Sequence, residues 1–268
     1  MNRILQLFEN KKKDILNIYF TAGYPTLNDT TKIILALENA GVDLIEIGMP
    51  YSDPLADGPT IQESSEIALK NGMTLDLLFK QIAAVREKTE IPLILMGYFN
   101  QMMQYGEEAF LQQCQKAGID GLIIPDLPLY EYELHYKSLF EKYHILISFL
   151  ITPQTSTERI QKIDELSESF IYMVSNSSIT GAKSSISERQ LAYFNRVNAL
   201  KLKSPKLIGF GISSHETYTT ACAHANGAII GSAFIKALKN SNVLTQGIEQ
   251  FVNTIKGKTA NYKIPAER

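Results

Sequence analysis

The sequence predicts a parallel (β/α)8 barrel of the TIM type with an extra N-terminal helix, and three observations point to it. Short apolar runs rich in β-branched residues alternate with longer segments whose apolar positions recur at helical spacing. The runs lack polar alternation, as strands buried on both faces do. Eight such units occupy 268 residues, close to the roughly 250 typical of a barrel.

In chain order, Met1–Glu9 reads as the extra helix, placed to plug the barrel floor. The strands are expected at Ile15–Thr21, Asp43–Gly48, Pro92–Tyr98, Gly121–Pro125, Ile145–Leu150, Phe170–Val174, Lys206–Gly209 and Gly227–Ile230. Helical spacing fills Asp29–Ala40, Thr74–Lys88, Glu107–Lys116, Tyr130–Tyr143, Ser156–Leu166, Glu188–Leu202 and Ser214–His224, with a last helix over Val243–Ile255. Strict strand–helix alternation implies right-handed crossovers. An open doubly wound sheet is the rival. It usually carries G-x-G-x-x-G after its first strand, where this chain has Thr21-Ala22-Gly23-Tyr24-Pro25. No linker rich in Pro, Gly or Ser interrupts the pattern, so one domain over 1–268 is expected.

Composition excludes several classes of function. With 45% apolar residues and a net charge of −2, the chain lacks the basic stripe of a nucleic-acid binder. Lys11-Lys12-Lys13 reads as a solvated turn. Cys114 and Cys222 have no C-x-x-C partner and read as reduced thiols. No run of ~20 apolar residues predicts a membrane span. The first ten residues do not form a secretory signal. A cytoplasmic enzyme is the expectation.

In a barrel, chemistry belongs to the loops after the strands. Glu46 interrupts the second strand, and with Ile45 and Ile47 facing the helices its side chain should enter the barrel. Burial would raise its pKa and suit it to acid–base work. A carboxylate merely hydrogen-bonded in the core is the competing reading. The following loop adds Asp53 and Asp57 among Pro50, Pro54, Gly58 and Pro59, a stiff frame for side chains. Asp residues that only cap local amides are the alternative there.

The last third supplies a second feature. Gly211 follows the seventh strand, and Gly231-Ser232 follows the eighth and opens a short helix. Glycines, free amides and a helix N-terminus suit a phosphate, and the loops after strands 7 and 8 are the usual phosphate site of such barrels. Thr180-Gly181 after strand 6 could complete the cradle. The histidines lack metal-ligand spacing, so no metal is expected. No G-x-S-x-G elbow is present, and no lysine occupies a strand interior as a Schiff-base enzyme would need.

The run from Glu46-Ile47-Gly48-Met49-Pro50-Tyr51-Ser52-Asp53-Pro54-Leu55-Ala56-Asp57-Gly58-Pro59 to Thr60-Ile61-Gln62 closely resembles the signature of the tryptophan synthase α subunit family. The likeness extends along nearly the whole chain, through Phe20-Thr21-Ala22-Gly23-Tyr24-Pro25, Pro125-Asp126-Leu127-Pro128 and Gly231-Ser232-Ala233. It implies a lyase of tryptophan biosynthesis that cleaves indole-3-glycerol phosphate to indole and glyceraldehyde 3-phosphate. Carried over by position, the resemblance makes Glu46 and Asp57 catalytic and assigns phosphate binding to Gly181, Gly211, Gly231 and Ser232. It puts Tyr19, Met96, Tyr98, Ile123, Tyr172, Thr180 and Phe210 around the substrate, with a closing loop over about 176–189. Asp53 and Pro54 would face a β subunit in an α2β2 complex. The resemblance implies no cofactor in this chain, the pyridoxal phosphate belonging to that partner. A free-standing lyase, another phosphate-binding barrel enzyme and a non-catalytic activator of the partner remain as alternatives.

Overall fold

A computed structural model describes residues 1–175, 186–209, 211–241 and 243–258. Among them the chain forms nine strands, every pairing parallel: β1 Ile15–Thr21, β2 Leu44–Gly48, β3 Leu93–Met96, β4 Gly121–Ile123, β5 Leu146–Ile147, β6 Leu150–Ile151, β7 Ile171–Val174, β8 Lys206–Gly209 and β9 Gly227–Ile230.

Hydrogen bonding orders them β5-β4-β3-β2-β1-β9-β8-β7-β6, and the two ends of that order belong to one stretch of chain. Only Ser148 and Phe149 separate β5 from β6. The Ser148 N–H donates to the Leu122 carbonyl of β4 at 3.1 Å, and the Tyr172 N–H of β7 donates to the Phe149 carbonyl at 2.9 Å. The sheet therefore closes on itself as eight parallel staves, the fifth bent at Ser148-Phe149. The single run expected at Ile145–Leu150 is corrected to these two short strands. The bend lets each half pair with a different neighbour.

Side chains alternate across the wall. Ile45 and Ile47 pack outward in the shell between sheet and helices. Leu44, Ile94, Ile123, Phe170, Tyr172, Leu207 and Ile229 form a separate interior cluster. Leading strands read as continuous apolar runs because both faces are buried.

The N-terminal helix, Arg3–Asn10, sends Ile4 and Phe8 into that interior cluster. A Cβ on Gly121 would stand 2.9 Å from Ile4 Cδ1, so the helix presses against the start of β4. Asn2 caps the helix at the Ile4 N–H, 2.9 Å, and donates to the Asp120 carbonyl at 2.8 Å. Arg3 and Arg86 each approach the buried Asp120 carboxylate at 3.1 Å. Asp120 immediately precedes β4, so this anchor lies at the N-terminal, floor end of the staves.

Two helices that the pattern did not predict appear at Pro59–Lys70 and Phe99–Tyr105. Pro59, expected as part of the stiff loop, is the first residue of a helix, where its fixed φ and missing N–H cost nothing. The expected helix over Tyr130–Tyr143 is a composite with a π-helical turn at Tyr132–Tyr136. Cys114 and Cys222 are free and buried. No helix among the described residues is long and apolar enough to cross a membrane.

Candidate active site

The row that matters runs across β1, β2 and β3, where Tyr19 pairs with Glu46 and Glu46 with Ile94. Ile94 belongs to the interior cluster, so Glu46 points inward, as the alternation of β2 requires. Its carboxylate is fully buried. Oε1 accepts from Asn17 Nδ2 at 2.5 Å, and Oε2 has no hydrogen-bond partner among the described residues. Removal from water pushes the Glu46 pKa up to about 8, and the Asn17 hydrogen bond opposes that shift only in part. Glu46 thus holds a proton at neutral pH and can release it within the range of biological chemistry.

Asp57 sits on the loop after β2, half-buried. Its Oδ2 accepts from the Tyr98 hydroxyl at 3.0 Å, and that hydroxyl oxygen in turn accepts from the Ala56 N–H at 3.2 Å. Gln62 Nε2 donates to the Asp57 carbonyl at 2.9 Å and the Pro54 carbonyl at 3.3 Å, tying the loop to the helix behind it. Tyr51 stacks on Tyr98 with ring centroids 4.9 Å apart. The loop is braced from three sides. Burial raises the Asp57 carboxyl above its ordinary value, against the stabilising Tyr98 bond.

Tyrosines join the two acids. Tyr19 and Tyr172 are both pushed well above the usual phenol range, by burial first, and the charges of Glu46 and Asp57 add to the shift in each. Both hydroxyls therefore feel both carboxylates, and the four groups share one electrostatic neighbourhood at the upper end of the barrel. Glycines make the room. A Cβ on Gly48 would fall 2.1 Å from the Tyr19 hydroxyl, and one on Gly209 would fall 2.3 Å from the Tyr172 hydroxyl. Met96, half-buried, pairs with Gly48 and with the buried Ile123, one step higher in the same wall.

The glycine turns lie at the same end. Gly211, after β8, has φ +79°, a conformation that favours glycine. Its missing side chain faces Ser175 Oγ, which a Cβ would meet at 3.9 Å. Gly231, directly after β9, caps the helix Ser232–Lys239, and no side chain among the described residues caps its first amides. The Tyr19 ring lies against Gly231, where a Cβ would come within 3.3 Å of Cδ1. Tyr19 thus touches both the glutamate row and the glycine turn. Asp53 is exposed and receives a hydrogen bond from Ser52 at 2.5 Å, Pro54 lies partly covered beside it, and Leu55 is 85% exposed. Thr180, Gly181 and Phe210 lie outside the described residues, as does most of the 176–189 loop.

Sequence reasoning missed two participants. Asn17 is an inward-facing polar residue two positions before Tyr19 in an otherwise apolar strand, and that break in the run was the available signal. Gln101 donates to the Pro50 carbonyl at 3.0 Å and accepts from the Tyr98 N–H at 3.0 Å, holding the loop after β2 against that after β3. No local pattern marks it. Among the described residues no group of three His, Cys, Asp or Glu could hold a metal ion.

The model of the family described as tryptophan synthase alpha chain matches residues 5–263. The tryptophan synthase alpha chain of Flavobacterium johnsoniae is 58% identical over 256 residues, covering 96% of this chain and 100% of that protein. That of Christiangramia forsetii is 57% identical over 259 residues, covering 97% and 100%. Among solved structures, the tryptophan synthase subunit alpha of Legionella pneumophila superposes with a TM-score of 0.86 at 31% identity, covering 96% of this chain and 98% of that one. A chain of the tryptophan synthase complex of Pyrococcus furiosus gives 0.84 at 31% identity, covering 92% and 99%. A match over this length, on a barrel of this topology with one buried and one half-buried acid towards its mouth, has one reading: the chain belongs to the tryptophan synthase alpha chain family.

Proposed function

We propose that this chain is the carbon–carbon lyase of its family, cleaving indole-3-glycerol phosphate to indole and glyceraldehyde 3-phosphate for tryptophan biosynthesis. The observation that carries the reading is a fully buried glutamate, its pKa pushed up to about 8 and one oxygen without a partner among the described residues, acting on the same two tyrosines as a second, braced carboxylate.

The substrate's indole ring serves as the electron sink. Protonated Glu46 donates its proton to indole C3. The ring becomes cationic, and ionised Asp57 stabilises it by accepting a hydrogen bond from the indole N–H. The Glu46 carboxylate then takes the proton of the glycerol hydroxyl nearest the ring. The bond from C3 to that carbon breaks, its electrons restore the neutral indole, and the carbon becomes the aldehyde of glyceraldehyde 3-phosphate. Glu46 ends protonated, ready for the next turnover. One acid kept neutral by burial and one kept ionised is a division of labour that environment alone can set. Gly211, Gly231 and Ser232, with Gly181, would receive the phosphate through backbone amides and one hydroxyl. Tyr19, Met96, Tyr98, Ile123, Tyr172 and Phe210 would enclose the indole, with Thr180 on the loop that closes over it.

Indole acts as the product passed to a β subunit that holds pyridoxal phosphate, with Asp53 and Pro54 on the facing surface and an α2β2 stoichiometry. Purified chain incubated with indole-3-glycerol phosphate should release indole. Glu46→Gln and Asp57→Asn should each lower that rate by roughly 10²–10⁴ with substrate affinity largely kept. Near-normal turnover in either variant would overturn the assignment.

A further inference from the structure

We propose that Asn17 is a positioning residue for Glu46, reserving Oε1 as a fixed anchor and leaving Oε2 as the oxygen that carries the proton to and from substrate. This inference rests on the reading of Glu46 as the proton carrier.

The geometry is specific. Asn17 and Glu46 are both 0% exposed on neighbouring strands. Asn17 pairs with Leu44, and two residues on Tyr19 pairs with Glu46, so Asn17 lies diagonally below the glutamate on the same inner face. The 2.5 Å bond from Nδ2 to Oε1 crosses that diagonal. An amide N–H donates well to a carboxylate oxygen and to the carbonyl oxygen of a carboxylic acid, so the contact persists in both protonation states. The amide neither gains nor loses a proton near neutral pH. Proton traffic must then use Oε2, the oxygen with no partner among the described residues. Asn17 Oδ1 also has no partner there, an arrangement a merely structural asparagine would not favour in a buried strand.

The groups facing Glu46 are Tyr19 of β1, Tyr172 of β7 and Asp57 of the loop after β2. The hydrogen bond that favours the ionised glutamate is Asn17's alone, and Glu46 Oε2 accepts from no donor among the described residues, so no neighbour shares that part. Loss of the amide should therefore raise the Glu46 pKa and loosen its rotamer. Both effects act on turnover, and neither involves substrate affinity directly.

The test uses the full chain carrying Asn17→Leu, a replacement of similar size, and Asn17→Asp, which keeps the shape and removes the donor. In the parent, the rate of indole release should fall above about pH 8 as Glu46 ionises. In Asn17→Leu that alkaline limb should move up by about one pH unit. At pH 7, kcat should fall about tenfold or more, with KM within about twofold. Asn17→Asp sets one carboxyl against another, which share a proton, and should move the limb at least as far. A titration of 13C-labelled glutamate, with the Glu46 signal assigned by its loss in Glu46→Gln, should show the same upward shift without reference to activity. On a Glu46→Gln background, adding Asn17→Leu should change the residual rate by less than about twofold. If the limb and the carboxyl titration stay in place, or if kcat and KM fall without a pH shift, Asn17 is structural and this inference is overturned. If Glu46→Gln itself remains active, it is the underlying reading of Glu46 that fails, a distinguishable result.

Discussion

Glu46 keeps its proton to about pH 8 because burial removes the water that would otherwise solvate its charge. The fold carries a consequence. In the unfolded chain the same carboxyl titrates near 4.5, so between pH 4.5 and about 8 the folded state holds a proton that the unfolded state has lost. Stability attributable to this group is full below the unfolded value, declines as pH rises, and stops declining above the folded value. Glu46→Gln, which is neutral throughout, should be more stable than the parent at pH 9 by a few kcal/mol, and about as stable at pH 4. Chemical denaturation at the two pH values measures this. Equal stabilities at pH 9 would mean that the carboxylate is solvated. The inward direction of Glu46 was legible in the sequence because a period of two leaves no choice between Ile45 and Ile47. The contact with Asn17 was not, since it depends on how β1 and β2 align.

At the scale of elements, the upper barrel depends on glycines that receive rings from the preceding strand. Gly48 of β2 receives Tyr19 of β1, and Gly209 of β8 receives Tyr172 of β7. Gly209→Ala would place a methyl 2.3 Å from the Tyr172 hydroxyl and 2.6 Å from the ring carbon that bears it. The ring must turn. The expected result is a loss of about 1–3 kcal/mol in stability from overpacking and at least about a tenfold fall in indole release. A variant with parental melting and rate would refute the close fit. Strands were easy to find by sequence, because burial on both faces leaves an unbroken apolar run. Two helices were hidden for physical reasons. Pro59–Lys70 buries Ile61, Ser64, Ser65 and Ala68, a face too small and polar to show helical periodicity. There Ser64 meets Thr21 across a 2.6 Å hydrogen bond instead. Phe99–Tyr105 spans seven residues, too few turns for a pattern, and is set by the Gln101 cap. The break in the fifth stave is equally silent, since Ile145–Leu150 stays apolar across the bend apart from Ser148.

For the whole molecule, the acids and the glycine turns share one rim, and the loop bearing Asp53, Pro54 and Leu55 stands on that rim. An exposed leucine beside a proline and an aspartate, on a loop held by Tyr51, Tyr98 and Gln62, would offer a preformed apolar contact if the proposed partner docks there. Mixed with a cognate β chain, the protein should sediment as a particle of two α and two β chains. Leu55→Arg should weaken that association by at least about tenfold. Unchanged affinity would move the interface elsewhere. The closed ring was implied by eight strand–helix units, whereas the face offered to a partner came only from the resemblance. Bare sequence shows which residues are stiff or polar, and carries no information about which of them a second protein covers.

The floor has its own consequence. Ile4 and Phe8 cork the vessel from below, with Asn2 and Arg3 fastening the cork to Asp120. Among the described residues, the base of the cup is filled, which leaves the rim as the way in. Whatever enters past the rim would then leave past the rim, and two products formed inside would compete for that threshold. A partner seated on that threshold would be positioned to decide the order of departure.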